Sequence, residues 1–201
     1  MIAIIDYDAG NMKSVQKALD YLGAEYIVTR DTNKLREADK LILPGVGAFG
    51  DAMGKLNAYG LTEEIKALVQ AGKPILGICL GMQVLFEESE ETPGVKGLSL
   101  LPGKVVRFSD SYGLKIPQIG WNSIRLPKES KLFAGIKEDS YVYFVHSYYV
   151  KAADESIVAA DCEYGDHVHA AVESGNIYAC QFHPEKSSDV GLAILKNYID
   201  I

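Results

Sequence analysis

The segment PILGICLGMQ at residues 74–83 joins an apolar run to a helix-forming stretch through a single cysteine. Residues 74–78 are typical of a central buried strand, and the residues from Leu80 to about Glu88 predict a helix. Glycines stand two positions before and two positions after Cys79, and this spacing permits the cramped turn that presents a nucleophile at its tip. The sequence therefore predicts a strand-to-helix turn with Cys79 at its tip.

Strand-like and helix-like segments alternate on the amino-terminal side of this turn. This alternation is typical of a mostly parallel sheet flanked by helices. Strands are predicted at residues 1–7, 25–29 and 40–43, and helices at residues 12–22 and 61–69. The third strand ends at Pro44-Gly45-Val46-Gly47, where proline removes an amide donor and glycine permits unusual backbone angles.

The carboxyl-terminal half is mostly β. Short segments rich in Val, Tyr and Phe predict additional antiparallel strands at residues 104–108, 141–145, 157–161, 168–172 and 178–182. A closing helix is predicted from Ser188, its N-cap, with Leu192, Leu195 and Ile199 on its apolar side. Because we see no repeat or linker, we expect a single α/β domain over residues 1–201 with a central, mostly parallel sheet.

Composition excludes several classes of protein. The chain has 201 residues, of which 48% are hydrophobic and 23% charged, and these fractions are close to those of ordinary globular proteins. A net charge of -7 disfavours binding to nucleic acid or to anionic lipid. The apolar stretches fall short of the roughly 18 residues that a membrane span needs. Three cysteines without a CxxC pair indicate a reducing cytoplasm.

The segment Gln181-Phe182-His183-Pro184-Glu185 supplies partners for the cysteine. In extended chain, residues two apart face the same side, so His183 and Glu185 can act together. A carboxylate orients the imidazole, and the imidazole takes the thiol proton and returns it to an amine leaving group. A Cys79-His183-Glu185 triad therefore predicts amide hydrolysis through a thioester. Three alternatives stay open at this point: a buried structural cysteine, a surface His-Pro-Glu turn, and a redox-sensing thiol.

These segments resemble the class I (triad) glutamine amidotransferases, and most closely the glutaminase subunits of imidazole glycerol phosphate synthases. Residues 77–83 and 181–185 carry the general resemblance. The narrower one rests on residues 6–11, 44–49, 117–122 and 143–149. The resemblance covers essentially the whole chain and implies a flavodoxin-like fold that uses no cofactor.

The resemblance also implies roles for individual residues. Cys79 attacks the side-chain amide of glutamine, releases ammonia and leaves a glutamyl thioester that water resolves. Oxyanion amides are expected from Val46 and Leu80, and substrate contacts from Gly47, Gln83 and Glu91 and from the backbone of Ser147 and Tyr148. Without the resemblance, Glu91 belongs to the acidic run 87–91, which reads as a solvated helix end.

Val46 stands where many relatives have a second consecutive glycine. A β-branched residue resists the positive φ that would aim its amide inward. We therefore expect the Gly45-Val46 peptide to face the wrong way until a partner binds, so that basal glutaminase activity is slow. The alternative is a plain strand-ending turn.

The chain contains no phosphate-binding loop or dinucleotide fingerprint for an ammonia acceptor. The resemblance implies that the acceptor is bound by a second protein, a (β/α)₈-barrel cyclase subunit that forms a heterodimer with the glutaminase. This subunit makes imidazole glycerol phosphate and AICAR in histidine biosynthesis. Asn11, Trp121, Tyr143 and Lys186 are expected near this interface, although Trp and Tyr are also ordinary core residues. A different synthase is the rival partner.

Three further features carry less weight. His167 and His169 share one strand face, but no third ligand stands at a suitable spacing, so no metal site is predicted. Cys162 and Cys180 lack flanking glycine turns and are expected to be inert. His146 has no acid two residues away, and its role in the family is structural.

Overall fold

The computed structural model describes residues 1–9 and 12–201. In the first half strands and helices alternate: β1 (Ile2–Ile5), α1 (Met12–Tyr21), β2 (Tyr26–Thr29), α2 (Thr32–Glu37), β3 (Lys40–Gly45), α3 (Phe49–Ala58), α4 (Leu61–Gln70), β4 (Ile75–Cys79) and α5 (Leu80–Gln83). Strands dominate the second half: β5 (Glu88–Ser89), β6 (Gly103–Arg107), β7 (Gln118–Ile124), β8 (Ser140–His146), β9 (Tyr148–Ala152), β10 (Val158–Tyr164), β11 (Asp166–Ser174) and β12 (Ile177–Cys180). Helix α6 (Ser188–Asp200) closes the chain.

A seven-stranded sheet in the order β10-β11-β12-β4-β3-β1-β2 forms the centre of the fold. The strands from β12 to β2 run parallel, and β11 runs antiparallel to both of its neighbours, β10 and β12. Strands β5, β6 and β9 form a smaller sheet, and β7 and β8 form a hairpin. The predicted α/β class, with a mostly parallel sheet and additional antiparallel strands, is confirmed.

Strand β4 lies between β3 and β12, and all its residues are buried. Its continuous apolar sequence reflects this position, because a central parallel strand has both faces covered. Cys79 is its last residue and so lies at the carboxyl edge of the sheet, where open α/β sheets bind their ligands. Cys180 is level with Ile78 across the β12–β4 pair, which brings the segment after β12 to the same edge.

Two glycines allow α5 to begin directly after β4. A Cβ atom at Gly81 would sit 1.7 Å from the Leu43 carbonyl oxygen, and one at Gly77 would sit 2.8 Å from the Gly81 oxygen. The strained backbone angles, φ 56 and ψ -112, fall on Cys79 itself. The glycines are therefore needed for close backbone approach, and the cysteine adopts the positive φ that tips its side chain out of the turn.

The helix after Cys79 is shorter than the sequence predicts, since α5 ends at Gln83 and not near Glu88. The returning chain takes the carbonyl groups that a longer helix would use: Leu98 donates to Val84, Leu100 to Leu85 and Ser99 to Phe86. Tertiary hydrogen bonds thus end a segment whose apolar spacing alone favours helix.

Other boundaries also differ from the prediction. Strand β3 continues through Pro44 to Gly45. The pairing of β1 with β3 ends at Ile42. Proline has no amide hydrogen to donate, but at Pro44 no β1–β3 hydrogen bond is lost by this. Helices α2 and α3 were not predicted from the sequence. Ser188 is the first residue of α6 and not its N-cap; Ser187 precedes the helix, and its hydroxyl donates to the His183 carbonyl.

Buried apolar side chains cover both faces of the main sheet in two clusters. One contains Ile5, Leu43 and Leu80, and the other contains Ile4, Ile78 and Phe182. Within residues 1–9 and 12–201, the structure has no helix that is both long and apolar enough to cross a membrane.

The close approach at Gly81 makes a testable prediction. Replacing Gly81 with alanine should lower the free energy of unfolding by about 3 kcal/mol or more, because overpacking against a backbone oxygen forces the strand and helix apart.

Gly54→Ala is the matched control. Gly54 lies on an exposed part of α3, and its added Cβ would meet none of the described atoms within 4 Å. That change should stabilise by up to about 1 kcal/mol. Urea unfolding of both variants measures the difference, and equal stabilities would contradict the packing argument.

Candidate active site

Glu185 and His183 form a buried pair beside Cys79. The His183 Nδ1 atom lies 2.7 Å from Glu185 Oε1, and each side chain is 2% exposed. The other ring nitrogen, Nε2, is buried and makes no hydrogen bond to the described residues. Cys79 and His183 line one cavity of about 450 Å³. The structure thus brings together the three residues that the sequence predicts as a triad.

The backbone that brings Glu185 to His183 differs from the extended chain that the sequence predicts. His183 is followed by a short 3-10 helix, Pro184–Lys186, and not by extended chain. The carboxylate therefore reaches Nδ1 through a tight turn. Two further bonds hold this turn in place: the His183 amide donates to the Tyr143 carbonyl, and Ser187 Oγ donates to the His183 carbonyl.

Opposing effects set the protonation of His183. Burial, the largest effect, lowers its pKa, whereas interaction with Cys79 and the hydrogen bond to Glu185 raise it, and together they bring the pKa to about 9. An imidazole with this pKa carries a proton near neutral pH. The same proton is then available for an amine leaving group.

Gln181 contacts the nucleophile, which sequence reasoning missed. Its Nε2 lies 3.6 Å from the Cys79 sulfur. Gln83 Nε2 donates to Gln181 Oε1 and to the Tyr148 carbonyl, each at 3.0 Å, and so directs the Gln181 amino group toward the sulfur. The position of Gln181 in the sequence could have indicated this contact, because Gln181 directly follows β12, the strand next to β4.

The predicted substrate-binding residues surround the cavity. Gln83, Glu91, Gly47, Ser147 and Tyr148 all line it. The side-chain nitrogen of Gln83 is engaged twice, so among the described contacts its Oε1 is the atom available to a ligand. The carbonyl groups of Ser147 and Tyr148 accept hydrogen bonds from the protein, which leaves their amides as the groups that could meet a substrate.

Glu91 does not lie at a solvated helix end. It follows the short strand β5, and its Oε2 accepts a 2.7 Å hydrogen bond from the Phe49 amide. Phe49 is the first residue of α3, whose N-cap, Ala48, has no side chain able to cap. Glu91 is distant from α3 in sequence, but its side chain caps this helix and also lines the cavity.

Each predicted oxyanion donor directly follows a member of the Gly45–Cys79 pair, and the two amides face different ways. The Leu80 amide is at the first position of α5, where helix geometry offers it no partner. In β3, the Leu41 amide donates to the Pro74 carbonyl and so faces the β4 side of the strand. Because backbone groups of residues two apart face the same side, those of Gly45, four residues later, face β4 as well. Because β3 is regular through Gly45, the Gly45 carbonyl faces the Cys79-Leu80 turn and the Val46 amide faces away.

His146 lines the same cavity but has no free ring nitrogen. Its Nδ1 lies 2.8 Å from the Tyr148 carbonyl and its Nε2 lies 3.0 Å from the Gln118 side chain. Burial lowers the pKa of His146 to about 4, so the ring is neutral at physiological pH. These contacts support a structural role and make His146 unsuitable as the base.

Residues predicted at an interface lie beside the cavity mouth. Trp121 is 52% exposed and meets the Tyr143 ring edge-on with centroids 6.0 Å apart. Lys186, which lines the cavity, holds its Nζ 6.0 Å from the centre of the Tyr143 ring. Asn11, also predicted here, lies outside the described residues.

The remaining candidates lie elsewhere. His167 contacts Glu163 and Arg125, and His169 accepts a hydrogen bond from the Ala152 amide. In the described part of the chain, no group of three or more metal-ligating side chains lies together. Burial raises the pKa of the Cys162 thiol to about 12 and that of Cys180 well above its ordinary value, so both are expected to stay protonated.

Comparisons with known proteins agree with this geometry. The family described as glutamine amidotransferase class-I matches residues 3–200. The chain is 51% identical, over 100% of its length and 98% of the relative, to the imidazole glycerol phosphate synthase subunit HisH of Methanothermobacter thermautotrophicus. It is 52% identical to the HisH subunit of Halalkalibacterium halodurans, over 98% and 94% of the two chains.

Solved structures share the fold at lower identity. A crystal structure described as a glutamine amidotransferase superimposes with a TM-score of 0.77 at 22% identity and covers 100% of both chains. PurLQS from Thermotoga maritima gives a TM-score of 0.71 at 22% identity, over 99% and 97% of the two chains.

The His183–Glu185 pair predicts how stability depends on pH. The pKa of His183 is raised from 6.5 in the unfolded chain to about 9, so its stabilising contribution is complete below pH 6.5 and is lost as the pH rises through 9. The free energy of unfolding should therefore fall by up to about 3 kcal/mol across this window. Glu185→Gln should flatten the decline, because it removes one of the interactions that raise the pKa. Urea unfolding at pH 6.5, 7.5 and 9 tests this.

Glu63→Gln is the control for this prediction. Glu63 is exposed and pairs only with Lys66 among the ion pairs of the described residues. That variant should keep the decline seen in the parent protein. A Glu185→Gln variant with an unchanged decline would show that the buried carboxylate does not hold the proton on His183.

Proposed function

The chain belongs to the class-I glutamine amidotransferase family and is an enzyme of that family, and we propose that it is the glutaminase subunit of an imidazole glycerol phosphate synthase. The single observation that carries the proposed chemistry is the buried His183–Glu185 bond beside the Cys79 sulfur at one cavity. The identity of the synthase rests on the HisH relatives, which match the chain over its whole length at about half of all positions.

The proposed reaction begins with proton transfer from the Cys79 thiol to His183 Nε2. The thiolate attacks the side-chain amide carbon of glutamine, and the resulting oxyanion receives hydrogen bonds from backbone amides. His183 returns the proton to the amide nitrogen, ammonia leaves, and a glutamyl thioester remains. Water, activated by the now neutral imidazole, hydrolyses the thioester and regenerates the thiol together with glutamate.

The cavity suits the amino acid end of glutamine. Among the described residues that line it, Glu91 carries the one carboxylate, and Glu185 lies outside it, bonded to His183. Glu91 would attract the substrate ammonium group, and Gln83 Oε1 would accept one of its protons. The amides of Ser147 and Tyr148 would donate to the substrate carboxylate. These roles stay predictions.

An exposed apolar face favours a protein partner at the cavity mouth. Ile119, Trp121 and Tyr141 are each more than half exposed on the β7–β8 hairpin, and Tyr143 pairs with Trp121. Such a face marks an interaction surface more often than a solvated one. It continues through Tyr143 to Lys186 at the cavity. A cyclase subunit docked there would receive ammonia before water could protonate and dilute it.

The nucleophile assignment can be tested in the reconstituted synthase. Cys79→Ala should abolish glutamine hydrolysis, yet synthesis from added ammonium salts should persist, because the acceptor chemistry resides on the other subunit. Cys162→Ala is the matched control, since Cys162 is buried away from the cavity and should leave both reactions intact. Normal glutamine turnover by Cys79→Ala would refute the proposed nucleophile. Recovery of the chain with a synthase other than a barrel cyclase would refute the proposed partner.

The orientation of the Gly45-Val46 peptide supports slow basal activity. Strand regularity directs the Val46 amide away from Cys79, as expected for an oxyanion donor that waits for a partner. Turning the peptide changes φ of Val46, which a β-branched residue resists at a cost of about 1–2 kcal/mol in the left-handed region.

Val46→Gly should relieve this resistance. We expect ammonia release by the isolated chain at saturating glutamine to rise about tenfold, which corresponds to about 1.4 kcal/mol. Val46→Ala keeps the Cβ atom without the branch and should give a smaller increase. Unchanged turnover in Val46→Gly, or full parental activity without a partner, would argue against a closed oxyanion turn.

A further inference from the structure

A buried tyrosine lies beneath the oxyanion turn and takes no part in the steps above. Strand β1 pairs with β3 as far as Ile4 and Ile42, and Tyr7 lies two residues beyond the carboxyl end of β1. Gly45 in turn is level with Cys79 across the β3–β4 pair. Tyr7, Gly45 and Cys79 therefore lie at, or just beyond, the carboxyl ends of three adjacent parallel strands.

The Tyr7 hydroxyl approaches Gly45 closely. A Cβ atom at position 45 would lie 2.4 Å from Tyr7 Oη, and also 3.0 Å from Leu80 Cβ and 3.1 Å from the Gly81 amide nitrogen. The hydroxyl thus fills the space that a side chain at position 45 would need. It lies against Gly45, whose other close neighbours on that side are at the start of α5.

This hydroxyl is unsatisfied. Tyr7 is 0% exposed, and its Oη makes no hydrogen bond to the described residues. Burying an unpaired hydroxyl costs stability that a phenylalanine would not cost, so the group calls for a reason. Burial, with a smaller effect from Cys79, raises the pKa of Tyr7 far above its ordinary value. The hydroxyl therefore keeps its proton and can act as a donor at any physiological pH.

The geometry of β3 identifies the acceptor. In the present conformation the Gly45 carbonyl faces β4, and the Val46 amide faces the opposite side, toward β1. The amide and carbonyl of one peptide point in opposite directions. When the Val46 amide turns toward the Cys79 sulfur, the Gly45 carbonyl must turn toward β1, the strand from which Tyr7 extends.

We propose that Tyr7 is a positioning residue for the oxyanion turn: its hydroxyl donates a hydrogen bond to the Gly45 carbonyl when the Val46 amide faces the nucleophile. The bond exists in the active conformation and is absent in the present one. This inference rests on the proposed function, because it requires a partner that shifts the turn.

The test compares Tyr7→Phe with the parent chain, alone and with the cyclase subunit. Removing an unsatisfied hydroxyl should leave the melting temperature of the isolated chain unchanged or higher. In the complex, kcat for glutamine hydrolysis should fall about 3- to 10-fold, the range for one neutral hydrogen bond. The KM for glutamine and the ammonium-dependent synthesis should stay at the parental values.

Tyr198→Phe is the matched control. Tyr198 is also 0% exposed, but its hydroxyl donates a 2.6 Å hydrogen bond to the Leu41 carbonyl near the start of β3. Its loss should lower the melting temperature and leave partner-stimulated kcat at the parental value. The two tyrosines should thus give opposite patterns of stability and activity.

Results that differ from these expectations overturn the inference. A Tyr7→Phe complex with parental kcat would mean that the hydroxyl does not hold the turn. A lower melting temperature in Tyr7→Phe, like that of Tyr198→Phe, would mean that the group stabilises the resting fold. A cyclase that fails to stimulate the parent chain would remove the proposed function and, with it, the role of Tyr7. If the parent is stimulated and the variant equals it, the Tyr7 role alone fails.

Discussion

The approach of Gly81 to the Leu43 carbonyl is the constraint on which the active site depends. Any side chain at position 81 would collide with β3, so only glycine lets α5 begin immediately after β4. That early start places positive φ on Cys79 and leaves the Leu80 amide without a helical partner. The backbone conformation of the proposed nucleophile and the position of one proposed oxyanion donor thus follow from a single backbone contact in the core.

Different contacts hold His183, the proposed base, in place. Its turn is short and irregular, so packing alone would not fix the ring. Bonds to the Tyr143 carbonyl and from the Ser187 hydroxyl hold the His183 backbone, and Glu185 orients the ring through Nδ1. Because Tyr143 belongs to the exposed β7–β8 hairpin, the same contacts join the proposed partner surface to the proposed base. A partner that shifts this hairpin would act directly on His183.

Hydrogen bonds hold several side chains of the cavity in place, whereas the proposed oxyanion turn faces away from it. The side chains of Gln83 and Gln181 form a chain of hydrogen bonds from the Tyr148 carbonyl to the sulfur, and Glu91 is held by the start of α3. By contrast, Gly45 and Val46 follow the regular geometry of β3, which directs the second amide away from the nucleophile. In the proposed mechanism, substrate binding and oxyanion stabilisation are therefore separable, so that the enzyme would hold glutamine without hydrolysing it quickly.

The amino-acid sequence by itself was sufficient for the α/β class, for the turn at Cys79 and for the choice of Cys79, His183 and Glu185 as residues that belong together. These features depend on local patterns: apolar runs, glycine spacing, and residue types whose chemistry is complementary. The length of α5, the capping of α3 by Glu91, the contact of Gln181 with the sulfur and the position of Tyr7 under Gly45 were decided by tertiary structure. Each depends on backbone groups from strands or loops distant in sequence, and a local pattern does not show which distant carbonyl or amide will face a given side chain.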